Sequence, residues 1–389
     1  MRVIAFDTET ERFRKGMMAP ELACVTWVSH NFRPDAPSTP PQIIHGDESE
    51  DLLRSWFEDP NTITVGQNVA YDTAVICARF PKLLPVVFDA YRNNRITDTM
   101  IRQHLLDISV GCYRGYMDDE GVWHKLNYGL EPLAQRHLGK YLKKDGWRTR
   151  YGEFRHLPIS QWEAHARVLQ AQAQVLLDRE ASKPAAERYY DGYEEKDLVA
   201  IIQDPPGQVL VYPLDDASTT MDVYLAQEAA PPDALRAQYF EAYAAFCLHL
   251  SSVWGIRTNA EGVDALERET LEDIGEVKDA LVAAGLVRPD GSRDTKKAAA
   301  HMVMVCDRDD IPLRKTKGGG VCLDDDACKA SEDPLLLQYA AYTGLGKRLN
   351  ADIPMLRRGA EHPVHCKYGM AETSRTTCSS PNLQNIKKS

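Results

Sequence analysis

Three short stretches of this 389-residue chain place carboxylates where they could grip a cation. Asp7 and Glu9 stand in the string Phe6-Asp7-Thr8-Glu9-Thr10, at the end of the apolar run Arg2 to Phe6, which reads as a strand. Side chains two apart on a strand project to one face, so both carboxylates can converge on one ion. Asp72 closes Gly66-Gln67-Asn68-Val69-Ala70-Tyr71-Asp72, between a strand and the helix it opens, where the helix dipole by itself favours an anion. In Tyr212-Pro213-Leu214-Asp215-Asp216 the proline places a helix start at about Tyr212. Asp216 then lies one turn on, above Tyr212, while Asp215 points about 100° away toward solvent. Taken singly, each stretch is explained by a solvated strand end or a helix cap. Together, three acids at strand and helix termini, with a tyrosine four residues before the last, form a far rarer pattern.

Such acids need a frame. Leu22 to Val28 and Gln42 to His45 are further β-type runs separated by Pro- and Asp-rich turns, so with the first they read as a three-stranded meander. Asp47 to Phe57 has helical periodicity, Thr62 to Val65 reads as a strand, and Tyr71 to Phe80 as a helix ended by Pro81. Thr97 is expected to cap a helix to about Leu106, and Gly129 to Leu138 to form another. This alternation predicts an α/β domain with a mixed sheet. Helix formers from Gln161 to Arg179 follow, then the turn Asp204-Pro205-Pro206-Gly207, then a helix from near Pro213 to about Glu228. Ala229-Ala230-Pro231-Pro232 reads as a linker. Beyond it, Ala234 to Val253 and Ala260 to Ala284 make the second region mainly α. No internal repeat is visible.

Composition, with 43% hydrophobic and 26% charged residues, excludes disordered, collagen-like and coiled-coil classes, and the length predicts two or three domains. No apolar run approaches the ~18 residues of a membrane span, and Asp7 and Glu9 interrupt the place where a signal peptide keeps its apolar core. A soluble, cytoplasmic protein without a membrane partner is expected. Nine scattered cysteines without a C-x-x-C pair read as reduced thiols, mostly core. His362-Pro363-Val364-His365-Cys366 lacks a fourth ligand at zinc-site spacing and is not read as a zinc site. The net charge of −11 is uneven: 16 basic and 12 acidic residues lie from Ser292 onward, against 30 and 45 before it. Nucleic acid is therefore not excluded, since clustered carboxylates can serve metal while local basic patches meet phosphate.

The three acidic stretches are similar to the motifs of the proofreading 3′→5′ exonuclease domain of family A DNA polymerases, in the DEDD superfamily. Phe6 to Thr10 resembles the first motif, Gly66 to Asp72 the second and Tyr212 to Asp216 the third. Asp98-Thr99-Met100 and Tyr128 to Ala134 resemble intervening segments. Tyrosine four residues before the last acid marks the DEDDy branch; the DEDDh branch has histidine five before it, where this chain has Val211. Near the other end, Thr373 to Ile386 is similar to the T-G-R-L-S-S-x-x-P-N-L-Q-N-I stretch that enters the polymerase palm. Pro312, Lys315 to Gly318 and the helices from Ala234 resemble the thumb and its approach.

The resemblance implies an α/β, ribonuclease H-like exonuclease domain over residues 1–230, with 156–207 a candidate insertion, and a thumb-like helical region with an incomplete palm over 231–389. It implies two divalent cations, Mg²⁺ or Mn²⁺, about 3.5–4 Å apart. Asp7, Glu9, Asp72 and Asp216 would ligate them, with Asp7 bridging and Glu9 and Asp216 on the ion that carries the attacking water. Tyr212 would orient that water, because an ordinary phenol pKa of about 10 makes it a poor base at pH 7. Asn68 is expected to hold Asp72 or the substrate, and Thr8 and Thr10 to touch the terminal nucleotide. The substrate would be single-stranded or frayed 3′ DNA ends. Lys296, Lys297, Arg314, Lys315, Lys317, Arg357 and Arg358 are candidate phosphate contacts, although solvated basic faces are commoner.

In this family the polymerase carboxylates follow the palm-entry stretch, and here the chain ends three residues after Ile386. DNA synthesis is therefore not expected from this polypeptide alone. A split, interrupted or truncated polymerase each fit, and a split one requires a second polypeptide bearing palm and fingers. An assembly module of that kind, in a bacterial or phage-infected cell, is the alternative to an active exonuclease. A ribonuclease D-like RNA exonuclease shares the acids but has no place for the palm-entry stretch.

Overall fold

β1 (Arg2–Thr10) runs through the middle of a five-stranded sheet ordered β3-β2-β1-β4-β5, in which β2 is Leu22–Asn31, β3 Gln42–His45, β4 Thr62–Gly66 and β5 Ile96–Asp98. β1 to β3 pair antiparallel, and β4 and β5 join in parallel. The sheet is mixed, as expected. The structure, a computed structural model, describes residues 1–12, 17, 19–32, 39–112, 115–117, 121–142, 146–184, 187–190, 193–316, 318–371 and 375–386. Thr373 and Ser374 of the palm-entry stretch, Lys317, and Lys387 to Ser389 lie outside the described residues.

Both faces of β1 are covered, which is why its apolar residues run without a polar break from Val3 to Phe6. Ile4 and Phe6 pack with α1 (Glu50–Glu58), α2 (Val69–Arg79) and α3 (Leu84–Arg92). Val3 and Ala5, with Val65, meet Met221 and Tyr224 of α8 (Gln208–Gln227) on the other face. This three-layer arrangement is ribonuclease H-like. The remaining elements of the layer system are α4 (Thr99–Ser109), the small hairpin β6–β7 (Tyr116–Met117, Trp123–His124), α5 (Leu130–Leu138), α6 (Trp162–Ala181), α7 (Glu195–Gln203) and α9 (Gln238–Trp254).

Several sequence expectations shift. Thr97 lies inside β5; the cap of α4 is Asp98, whose carboxylate accepts from the Met100 and Ile101 N–H groups. α8 begins at Gln208 rather than Tyr212, with Pro213 in its interior. A proline there has no N–H for the Val209 carbonyl, and the Tyr151 hydroxyl donates to that carbonyl instead, at 2.9 Å. Residues of the candidate insertion 156–207 pack into the first unit. Trp162, Leu169, Leu198 and Ile201 share a buried cluster with Ala23 and Cys24 of β2, Trp147, Tyr151, Phe154 and Val209.

The chain divides into two compact units, one of Met1–Val253 with His365–Pro381, the other of Trp254–Val364 with the segment beginning at Asn382. The division falls after the expected linker because α9 completes the first core, where Phe246 stacks on Tyr91 at 4.7 Å. The hairpin β8–β9 (Lys367–Met370, Thr376–Ser379) also belongs to this first unit. The second unit is helical: α10 (Ala260–Ala283), α11 (Thr295–Asp309), α12 (Asp325–Ala330), α13 (Pro334–Lys347) and α14 (Ile353–Glu361). There Arg357, a candidate phosphate contact, is paired with both Asp264 and Glu267. All nine cysteines are free and six are buried. No helix among the described residues is long and apolar enough to cross a membrane.

Candidate active site

The period of two along β1 sorts the first motif between the two layers. Asp7 and Glu9 project toward the face that carries α8, where Asp216 meets them; one carboxylate oxygen from each of the three lies within 4.8 Å of the others. Among the described residues this is the one group of three or more His, Cys, Asp or Glu side chains able to hold a metal. It lines a cleft of about 450 Å³ together with Tyr212, Tyr71 and Arg148. Asp215 is turned away, as expected, and its carboxylate receives Lys140 Nζ at 2.5 Å.

Thr8, between the two acids, faces the opposite layer and reaches Asp72 on α2. Its N–H and Oγ1 both donate to Asp72 Oδ1, at 3.1 and 2.6 Å. Asp72 is therefore brought beside the group through Thr8 and is not itself a member of it. The hydrogen bonds expected from Asn68 come from Thr8 instead. Asn68 is exposed, holds a left-handed backbone (φ 60°) at the cap of α2, and gives its N–H to Asp98. Thr10 Oγ1 lies 2.8 Å from the Tyr71 hydroxyl at the cleft wall. Tyr212 hydrogen-bonds Asp216, as their one-turn spacing on α8 allows.

Asp98 is the positioning residue that sequence reasoning missed. Buried at the end of β5, it accepts from Asn68 N and Val69 N at 3.1 and 2.8 Å, and from Met100 N and Ile101 N at 2.8 and 3.3 Å. One carboxylate thus caps two helices, one of which carries Asp72. An aspartate directly before an apolar helical pattern was the available signal for half of this role.

Burial and mutual repulsion dominate the electrostatics. Burial first, then the Asp72 and Asp216 charges, hold the Asp7 carboxyl well above the usual range. Burial pushes Asp72 up to about 7 against its Thr8 hydrogen bonds. Asp216 is pushed up to about 6, again by burial, while the Tyr212 hydrogen bond and the Arg148 and Lys140 cations pull it back. A cluster of oxygen donors whose charge is this poorly compensated fits a hard divalent cation, which would relieve both the desolvation and the repulsion.

These shifts fix the sign of a pH effect. Because the folded pKa values exceed the ordinary 3.8, each group contributes stability that is full below about pH 4. That contribution is lost as pH rises through about 6 for Asp216 and about 7 for Asp72. In chelator, the melting temperature is expected to fall more steeply from acid to mildly alkaline pH in the wild type than in the Asp7→Asn, Asp72→Asn double variant. Added Mn²⁺ should restore the wild type alone. Parallel pH profiles for the two proteins would contradict the assignment.

Residues 1–167 match the family model described as 3′-5′ exonuclease, that of the family A DNA polymerases. No curated protein matches the sequence. Among solved structures, the POL domain of Pol1 from M. smegmatis, determined in complex with DNA primer-template and dNTP, is similar with a TM-score of 0.54 and 16% identity. The match covers 98% of this chain and 52% of that one, so this chain spans about half the length of the polymerase it resembles.

Proposed function

We propose that the chain is a metal-dependent 3′→5′ exonuclease of the proofreading type, hydrolysing DNA from single-stranded or frayed 3′ ends. The observation that carries this reading is the meeting of Asp7, Glu9 and Asp216 within 4.8 Å, one helical turn from Tyr212. Two divalent cations, Mg²⁺ or Mn²⁺, would activate the attacking water and neutralise charge on the leaving 3′ oxygen. Asp7, Glu9 and Asp216 would hold them, and Asp72, fixed by Thr8, would complete the ligand set from the α2 layer. Thr8 and Thr10 are among the residues that line the cleft and would meet the terminal nucleotide; Asn68 is not among them, and a contact with the substrate would be made from outside it. Unpaired ends suit the cleft, because a paired terminus must first be melted.

Tyr212 acts as a donor. Burial first, and then the neighbouring carboxylates, raise its pKa far above the ordinary value in the metal-free protein, which favours a protonated phenol that serves by orientation. Tyr212→Phe should lower kcat by roughly 10–100-fold, the worth of one hydrogen bond to a charged group, while Mn²⁺ affinity stays within about twofold. Equal losses of kcat and metal affinity would reassign the tyrosine to holding the ligands.

The deciding experiment is a 5′-labelled single-stranded oligonucleotide incubated with Mg²⁺. Stepwise shortening from the 3′ end with release of nucleoside 5′-monophosphates is expected; no digestion, or digestion that ignores chelator, would overturn the reading. We place the activity in the cytoplasm of a bacterial or phage-infected cell, where such DNA ends occur. One observation favours a second reading, as the assembly half of a polymerase: Arg375 to Ile386 carries the palm-entry pattern and includes β9 and a 3-10 turn, Leu383–Asn385. In that case, mixing with a polypeptide bearing palm and fingers should restore primer extension.

A further inference from the structure

α8 carries Tyr212 and Asp216 on either side of a proline that ought to weaken it. Pro213 leaves the Val209 carbonyl without its helical donor, and its ring crowds that same turn. Here the defect is met from outside. The Tyr151 hydroxyl donates to the Val209 carbonyl at 2.9 Å, with both residues fully buried. The Pro213 carbonyl in turn accepts Thr26 Oγ1 at 2.8 Å, and Thr26 is the residue of β2 that pairs directly with Asp7. Two hydroxyls thus grip the helix on both sides of Tyr212. One is anchored in the aromatic cluster of Phe154 and Trp162, the other in the strand beside the first metal-ligand candidate.

We propose that Tyr151 and Thr26 are positioning residues of the exonuclease, fixing the proline turn of α8 so that Tyr212 and Asp216 meet Asp7 at the correct separation. The proposal rests on the exonuclease reading above. Packing alone does not ask for these hydroxyls: phenylalanine would fill the Tyr151 site and valine the Thr26 site with almost the same shape. The Tyr151 hydroxyl is needed because Pro213 has no N–H for the Val209 carbonyl, while the Thr26 hydroxyl adds a bond to the Pro213 carbonyl that ties the same turn to β2; a turn without these anchors can shift by the ångström that catalysis does not tolerate. The layer built by residues 146–209 is then part of the catalytic scaffold, since it delivers Tyr151.

The test uses the full chain with Tyr151→Phe, Thr26→Val and Thr26→Ser, each alone and the first also with Tyr212→Phe. Tyr151→Phe and Thr26→Val should each lower kcat about 10-fold with KM within about twofold, the mark of lost alignment rather than lost binding. Thr26→Ser keeps the hydroxyl and should recover most of the loss. In the Tyr212→Phe background the effect of Tyr151→Phe should shrink to under about twofold, because the group it aligns is gone. Full additivity in that background, or an unchanged kcat in Tyr151→Phe, overturns the proposal. Should Tyr151→Phe fail to fold, the valine and serine replacements of Thr26 decide it, and equal kcat for those two counts against it. A wild type that digests DNA, loses activity with Asp7→Ala and ignores Tyr151→Phe refutes this proposal alone. A wild type with no Mg²⁺-dependent digestion refutes the exonuclease reading itself.

Discussion

Replacing Asp7 and Glu9 together by alanine should reduce Mg²⁺-dependent hydrolysis of a single-stranded oligonucleotide by at least ~10³-fold, while the metal-free protein melts no lower than wild type. Both halves of this expectation come from the same geometry. The two acids stand on one face of β1 and meet Asp216 in a cleft where their charges repel, so without them the cations would lose half of their proposed carboxylate ligands. Losing several kcal/mol of charge stabilisation at the phosphoryl group corresponds to three or more decades in rate. Stability moves the other way, because removing one buried and one partly buried carboxylate relieves desolvation and repulsion rather than breaking a packed contact. The measurement pairs a single-turnover digestion assay with thermal unfolding in chelator. A variant that still digests at more than a tenth of the wild-type rate would remove these residues from the chemistry, and one that is inactive because it is unfolded would be seen in the melt.

Asp98→Ala should destabilise the first unit by roughly 3–5 kcal/mol, which lowers the melting temperature by on the order of 10 °C. Four backbone N–H groups, those of Val69 and Ile101 buried and those of Asn68 and Met100 partly so, lose their acceptor at once. A single cap is worth about 1 kcal/mol, and buried donors left without a partner raise that figure. Asp98→Asn should cost about half as much, since its oxygen can still accept while its amide N–H₂ faces other donors. Activity should fall with stability, because the start of α2 that Asp98 holds also presents Asp72. Urea unfolding of the two variants checks the order; a loss below about 1 kcal/mol for Asp98→Ala would show that water replaces the carboxylate.

Much of the first layer was legible because it depends on local periodicity. Residues 2–10, 22–31, 42–45 and 62–66 alternate or run apolar as strands must, and α2, α5, α6 and α10 fall within a few residues of where their patterns place them. α8 was misread because the rule that proline belongs in a first turn holds for an isolated helix. Tyr151, 58 residues before Val209, supplies the missing donor, and nothing near Pro213 announces it. The extent of the first core was hidden for a similar reason. The Ala-Ala-Pro-Pro stretch is a plausible break by composition, yet the aromatic face of α9 beyond it is needed to cover Tyr91.

By itself the amino-acid order determined that Asp7 and Glu9 share a face, that Tyr212 and Asp216 share a side of one helix, and that Asp215 does not. Those are consequences of a backbone repeat of two residues in strands and 3.6 in helices, which no tertiary contact changes. Only the folded chain decided which layer each acid joins: α8 closes over Asp7 and Glu9, while Thr8, pointing the other way, ties Asp72 into the α2 layer. That choice depends on which helix covers which face of β1, and so on apolar packing between segments two hundred residues apart, which no local spacing encodes.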